Sequence, residues 1–329
     1  MAVKLALAGV AHIFERGFEK IRHGAARDDP IINCYGGYTT PDHIVLRGRV
    51  LAKARAISPV GPQSKWRNFK DFLSLFATDE LRDLMITAPD FDLTTQTDEE
   101  GFFTLRVPAT GDVPAFVNIQ AAGASEVHPT PVFNAHAAAF GVISDIDDTL
   151  LRTGAYSLIR NLWTSATGNV HQREVFDDAV ALLRDLKGKG AACFYVSSSP
   201  WNLYDYLQAV FVRTGLPLGP YFLRDLGISQ TQFVTGTHGD HKTEAIETIL
   251  AASPHLQFTL VGDTGQHDPH IYADIVARHQ DRIAQVILRR PSDAELSSAT
   301  KSDAAKIKAA GVKLMLDYDY RSLLGNIET

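Results

Sequence analysis

The stretch from Phe140 to Leu150, FGVISDIDDTL, constrains this chain more than any other. A short apolar run ends at Ser144, and Asp145, Asp147 and Asp148 follow at once, with Thr149 behind them. Packing does not account for that pattern. Carboxylates crowded at the tip of a buried strand repel one another and lose hydration, and a bound cation is the simplest way to neutralise them. In open α/β sheets the carboxyl ends of strands are where ligands sit. A solvated acidic loop is the competing reading of the stretch taken alone, so the remaining sequence decides.

At 329 residues the chain is long for one domain and comfortable for two. Its 45% hydrophobic residues describe an ordinary globular composition. A formal charge of −6 argues against broad nucleic-acid binding and gives no global attraction to anionic membranes. With only Cys34 and Cys193, neither a disulfide framework nor a thiolate metal site is expected, and a reducing, cytoplasmic setting is the default. No stretch reaches the ~20 apolar residues that a membrane span requires.

Three regions are expected. Residues 1–30 carry Leu7, Val10, Phe14 and Ile21 at helical spacing and read as an amphipathic helix. Residues 31–125 turn to short β-like runs, His43 to Val50, Phe102 to Val107 and Ala115 to Gln120, which suggest a small antiparallel sandwich. Within that region Lys65 to Phe76 sets Trp66, Phe69, Leu73 and Phe76 on one helical face beside basic residues. Such a face suits a lipid surface or a cover for the sandwich, and the latter is preferred. Ala121 to Asn134 reads as a linker. From 135 to 329 strands alternate with helical patterns, the mark of a parallel α/β sheet. The strands are expected near Ala138 to Ile143, Ala192 to Val196, Phe258 to Val261, Ile283 to Leu288 and Lys313 to Leu316.

Three further segments join the first. The run ACFYV ends in Ser197, Ser198 and Ser199, where a hydroxyl and a turn with open N–H groups suit a phosphate oxygen. Lys242 stands near the apparent start of a helix, where a cation opposes the helix dipole unless a negative group is nearby. In FTLVGDTGQHD, an apolar strand leads to Gly262 and Asp263, with Asp268 five residues on; glycine there lets backbone come close. Asp263 can share a cation with Asp145, and Mg²⁺ fits a site of one or two carboxylates plus substrate phosphate. His267 and His270 lack the companions of a zinc site and read as hydrogen-bonding groups.

Asp145-x-Asp147-x-Thr149, Ser197, Lys242 and Gly262-Asp263 with Asp268, in this order, resemble the four motifs of the haloacid dehalogenase (HAD) superfamily. That resemblance implies a Rossmann-like parallel sheet with a small cap, since only about forty residues separate Thr149 from the second strand. It implies Asp145 as the nucleophile forming an aspartyl-phosphate, Asp147 as general acid and base, and Lys242 offsetting charge. Thr149, Ser197 and Ser198 would bind the substrate phosphate. Asp145, Asp147 (through its carbonyl), Asp263 and Asp268 would hold Mg²⁺. Asp148 is extra to the motif and is read either as supporting the site from behind or as structural.

YVSSSPWNLYDYL and GDTGQHDPHIYADI narrow the likeness. With DIDDT they resemble the App1-type phosphatidate phosphatase catalytic domain over roughly residues 135 to 320. The implied substrate is phosphatidate or a related lipid phosphate, met at a membrane surface. Two other readings stay open: a phosphatase of phosphoproteins or other bulky substrates, and a catalytically silent adaptor, which the presence of Asp145, Asp147, Lys242 and Asp263 disfavours.

Overall fold

A computed structural model describes residues 30–52, 81–109, 111–152, 175–225, 238–291 and 295–324. The expected helices over residues 1–30 and Lys65 to Phe76, and most of the expected cap, lie outside the described residues.

The C-terminal half builds six strands into one parallel sheet: β8 (Phe140–Asp145), β9 (Ala191–Pro200), β10 (Tyr221–Arg224), β11 (Phe258–Asp263), β12 (Ile283–Arg289) and β13 (Lys313–Asp317). Their order is β10-β9-β8-β11-β12-β13. The chain thus winds outward from β8 in one direction and then restarts beside β8 in the other. The switch point lies between β8 and β11, where a crevice opens at the carboxyl ends of doubly wound sheets. Asp145 and Asp263 are the last residues of these two strands.

Both faces of the sheet are covered, so its strands are apolar without alternation, as parallel strands must be. Val142, Cys193, Tyr195 and Val261 face the helices α1 (Asp177–Gly188) and α2 (Tyr204–Thr214). Their neighbours Ile143, Phe194, Val196 and Leu260 face the opposite layer, built from α3 (His238–Ala252), α4 (Asp268–Arg278) and α5 (Ser298–Ala309). Gly141 is required by this packing: a Cβ there would meet Phe258 Cε1 at 2.2 Å.

The N-terminal region is a seven-stranded sheet in the order β4-β3-β6-β7-β1-β2-β5. Its strands are β1 (Ile31–Thr39), β2 (His43–Leu51), β3 (Met85–Ala88), β4 (Leu93–Gln96), β5 (Phe102–Pro108), β6 (Phe116–Ala121) and β7 (His128–Phe133). The sheet curls until its two edges, β4 and β5, touch, and it closes over a core of Ile44, Leu46, Val107, Val117 and Ile119. All its pairs are antiparallel except β1 with β7.

One expectation is corrected here. Ala121 to Asn134, read as a linker, contains β7. Its Pro129 and Pro131 argue against a strand because they donate no ladder hydrogen bond. In the fold the N–H of Val132 points to β6, bonding Ala115 O, so the prolines turn their missing donors toward β1, where pairing is confined to Gly37 with Val132 and Tyr38 with Phe133.

Among the described residues no helix is long and apolar enough to cross a membrane.

Candidate active site

The switch point gathers Asp145, Asp147, Ser197, Ser199, Lys242, Asp263 and Asp268, all buried. Lys242, in the first turns of α3, donates to Asp145 Oδ1 at 2.7 Å and to Asp268 Oδ1 at 2.6 Å. The other oxygen of Asp268 accepts from the backbone N–H of Asp263 at 3.2 Å. Asp263 Oδ1 in turn accepts from the N–H groups of Gly265 and Gln266, at 2.6 and 3.0 Å. Backbone and lysine therefore hold one side of the cluster in place.

Its other side is open. Asp145 Oδ2, Asp147 Oδ1, Thr149 Oγ1 and Asp263 Oδ2 are buried and have no hydrogen-bond partner among the described residues. Buried polar groups are ordinarily paired, so four such atoms in one site mark it as built to receive something.

Charge points the same way. Four carboxylates, Asp145, Asp147, Asp263 and Asp268, surround one ammonium. Burial pushes the Asp263 carboxyl up to about 7, helped by Asp268 and opposed by Lys242. Burial likewise lifts Asp145 well above the usual carboxylate range against the pull of Lys242, with Asp268, Asp147 and Asp263 adding to the rise. For Lys242, burial alone would favour the neutral amine, but Asp145 and Asp268 outweigh it and keep the group charged. One oxygen each from Asp145, Asp263 and Asp268 lie within 4.8 Å of one another. A small divalent cation suits the unpartnered oxygens of Asp145 and Asp263 in this set and would relieve the excess negative charge.

Asp147 is held by hydroxyls. Its Oδ2 accepts from Ser197 Oγ at 2.8 Å and from Ser199 Oγ at 2.9 Å. Burial raises its pKa while the two serine hydrogen bonds lower it. Thus Ser199, rather than the expected Ser198, joins the site. β9 does not stop at Val196 but runs to Pro200. Strand alternation then puts Ser197 and Ser199 on one face and turns the half-buried Ser198 away. The serine triplet signals hydroxyls in the sequence, but the parity that selects among them depends on where the strand ends.

Asp148 takes a left-handed backbone with φ of 59°, the sharp bend that lets Asp147 face the site while the chain turns away. Gln266 Nε2 lies 3.4 Å from both Asp147 O and Asp148 Oδ2. A second residue missed in the sequence, Arg289, sits behind this turn. It is buried, pairs with Asp178 Oδ2 at 2.8 Å, and donates to Thr149 O at 3.2 Å and Tyr318 O at 2.6 Å. Its guanidinium lies between the rings of Phe176 and Tyr320, 4.0 and 4.1 Å from their centroids. Nothing near Arg289 in sequence signals a partner on α1.

A doubly wound parallel sheet with an aspartate-rich first strand end, a serine-bearing second, a lysine helix and a Gly-Asp fourth strand at its switch point is the arrangement that the resemblance to the HAD motifs implies. Residues 140–290 match the family model described as Phosphatidate phosphatase APP1, catalytic domain. Over 198 residues, 58% of this chain, the sequence is 27% identical to Phosphatidate phosphatase APP1 of Saccharomyces cerevisiae. Over 150 residues, 45% of this chain, it is 25% identical to an uncharacterised protein of Schizosaccharomyces pombe. These alignments span 34% and 24% of the length of the two relatives. A phosphoserine phosphatase in apo form aligns at a TM-score of 0.36 with 13% identity, over 57% of this chain and 99% of that one, a likeness too slight to bear on function.

Proposed function

We propose that this protein is a magnesium-dependent phosphatase of lipid phosphates, phosphatidate first among them, working through an aspartyl-phosphate on Asp145. The observation that carries the chemistry is the division of labour at Asp145: one oxygen is fixed by Lys242 at 2.7 Å, and the other is buried and unpartnered. A carboxylate held in this way is oriented for attack.

In the first step Asp145 attacks phosphorus, and the bond to the leaving alcohol breaks. Asp147, whose carboxyl is raised by burial, gives that alcohol its proton. In the second step Asp147 takes a proton from water, which attacks the acyl phosphate, releasing inorganic phosphate and restoring Asp145. Lys242 keeps positive charge beside the transferring group. Thr149, whose hydroxyl is unpartnered, is available to bind a phosphate oxygen, and Ser197 and Ser199 keep Asp147 aimed. Asp145, Asp263 and the carbonyl of Asp147 would hold Mg²⁺, which when bound offsets charge on the phosphoryl oxygens. Asp268 has both oxygens committed to Lys242 and the Asp263 N–H, so its proposed role is to position Lys242 rather than to ligate.

The lipid assignment is supported by the likeness to the yeast phosphatidate phosphatase; such a substrate would be met at a membrane surface, with the protein peripheral to it on the cytoplasmic side. The test is phosphate release from phosphatidate in mixed micelles, lysophosphatidate, a phosphopeptide and a small aryl phosphate, with Asp145→Asn as the blank. Preference for the lipids is expected; turnover of the phosphopeptide alone would keep the chemistry and discard the lipid. Mg²⁺ is tested apart from turnover: it should raise the melting temperature of the wild type but not of Asp263→Asn.

A further inference from the structure

The strand end that carries Ser197 and Ser199 is held in place from outside the catalytic sheet. After Pro200 the chain makes one helical turn, Trp201–Leu203, and enters α2. Ladder pairing with β10 reaches Pro200 through Arg224 and is already irregular there. What fixes the next residue is a ring from the N-terminal sheet. Tyr35 of β1 stacks on Trp201 with centroids 4.5 Å apart and planes 16° from parallel, and its ring also lies 4.7 Å from that of Tyr204. Tyr35 is 1% exposed and belongs to the core of the catalytic half, not to that of its own sheet.

Arg47 of β2 completes the grip. Its guanidinium lies 5.2 Å from the Trp201 ring, 4.3 Å from Phe222 and 5.1 Å from Tyr38, and it donates to Tyr221 O at 2.7 Å. Arg49 donates to Asn202 Oδ1 at 3.4 Å, and Asn33 to Asp205 Oδ2 at 3.5 Å. β1 and β2 thus hold the turn at Trp201, Asn202, Tyr204 and Asp205, while the residue immediately before Pro200 is the Ser199 that binds Asp147.

We infer that the N-terminal sheet is a positioning element of the active site: Tyr35 and Arg47, acting through Trp201, set where Ser199 stands and thereby how Asp147 is aimed. Neither touches a reacting atom. The consequence for rate rests on the phosphatase reading above; the mechanical part does not.

The experiment uses the full chain in four forms: wild type, Tyr35→Leu, Tyr35→Phe and Ile119→Ala. Tyr35→Leu removes the stack and Tyr35→Phe keeps it. Ile119→Ala weakens the N-terminal sheet in its own core, away from Trp201. Amide hydrogen exchange is followed in the peptide covering Tyr195 to Leu203, and kcat and KM are measured on a soluble aryl phosphate. Tyr35→Leu is expected to lose protection in that peptide and to lower kcat roughly ten- to a hundredfold with KM little changed, because misplacing a catalytic group by about 1 Å can cost about a hundredfold. Tyr35→Phe should restore both readouts, and Ile119→Ala should move neither. Arg47→Lys, which keeps the charge but cannot stack as a plane, should follow Tyr35→Leu and serves in its place if that variant does not fold. Unchanged exchange in Tyr35→Leu, unchanged kcat despite lost protection, or an equal loss in Ile119→Ala would overturn the inference. A wild type inactive on every phosphate ester would instead overturn the phosphatase reading, and with it the kinetic half of this one.

Discussion

Ser199 shares with Ser197 a single oxygen of Asp147, at 2.9 and 2.8 Å, and leaves the other oxygen of that carboxyl group without a partner. Two donors on one oxygen fix the rotation of the carboxyl and keep its free oxygen available. Ser199 N also donates to Ser197 Oγ at 2.9 Å, so the two hydroxyls brace each other.

Removing one hydrogen bond to a group that carries charge costs about 1.5–3 kcal/mol, or roughly ten- to a hundredfold in rate where the bond serves the transition state. Ser199→Ala is therefore expected to lower kcat by about tenfold or more with the fold intact. Ser198→Ala, on the other face of β9, should stay within about twofold of wild type. Steady-state kinetics on an aryl phosphate, with melting temperatures alongside, checks both. Equal losses in the two variants would show that the serine cluster acts by some route other than Asp147.

The parts of this site that could be read from sequence are those with sharp local contrast. Asp145, Ser197 and Asp263 follow apolar strands, Lys242 stands early in a helix, and each signal fits within a few residues. The sheet positions came from the same contrast. Four-residue strands such as Tyr221–Arg224 and Met85–Ala88 carry too little pattern to stand out, and Pro129 and Pro131 concealed β7, although its partner β6 is the strand just before it. The seam between the halves gave no local signal at all: Arg47 and the Tyr221 carbonyl it binds are 174 residues apart, and neither Tyr35 nor Trp201 has a neighbour that announces a stack.

A pH dependence follows from that seam. Glu100, in the turn between β4 and β5, is pushed up to about 7 by burial and by facing Asp225, with Asp98 adding to the rise and Arg49 opposing it. A carboxyl whose folded pKa lies above its ordinary value keeps a proton that the unfolded chain releases. Its contribution to stability is full below about pH 4.5 and is lost as pH rises to about 7. Glu100→Gln mimics the protonated form permanently. The variant should melt with the wild type near about pH 4.5 and above it at about pH 8, in thermal scans at fixed ionic strength. A gap that stays constant with pH would mean that Glu100 does not titrate in this window.

Gly262 tests how tightly the charged cluster is packed. A Cβ at this position would lie 2.5 Å from Asp268 Oδ2 and 2.8 and 2.9 Å from Cε2 and the hydroxyl oxygen of Tyr272. Neither neighbour has room to yield: Asp268 is 0% exposed and tied to Lys242 and the Asp263 N–H, and the Tyr272 hydroxyl donates to Val261 O at 2.9 Å. Overpacking of a filled core costs about 1–3 kcal/mol, and here the displaced group is the one that holds the lysine. Gly262→Ala is thus expected to lower stability by about that amount and, in the same protein, to reduce turnover through Lys242. Gly188→Ala, where an added Cβ meets nothing within 4 Å, should do neither. Denaturant melts and kcat for the pair decide the matter: a Gly262→Ala protein that is destabilised but fully active would separate Asp268 from the working position of Lys242.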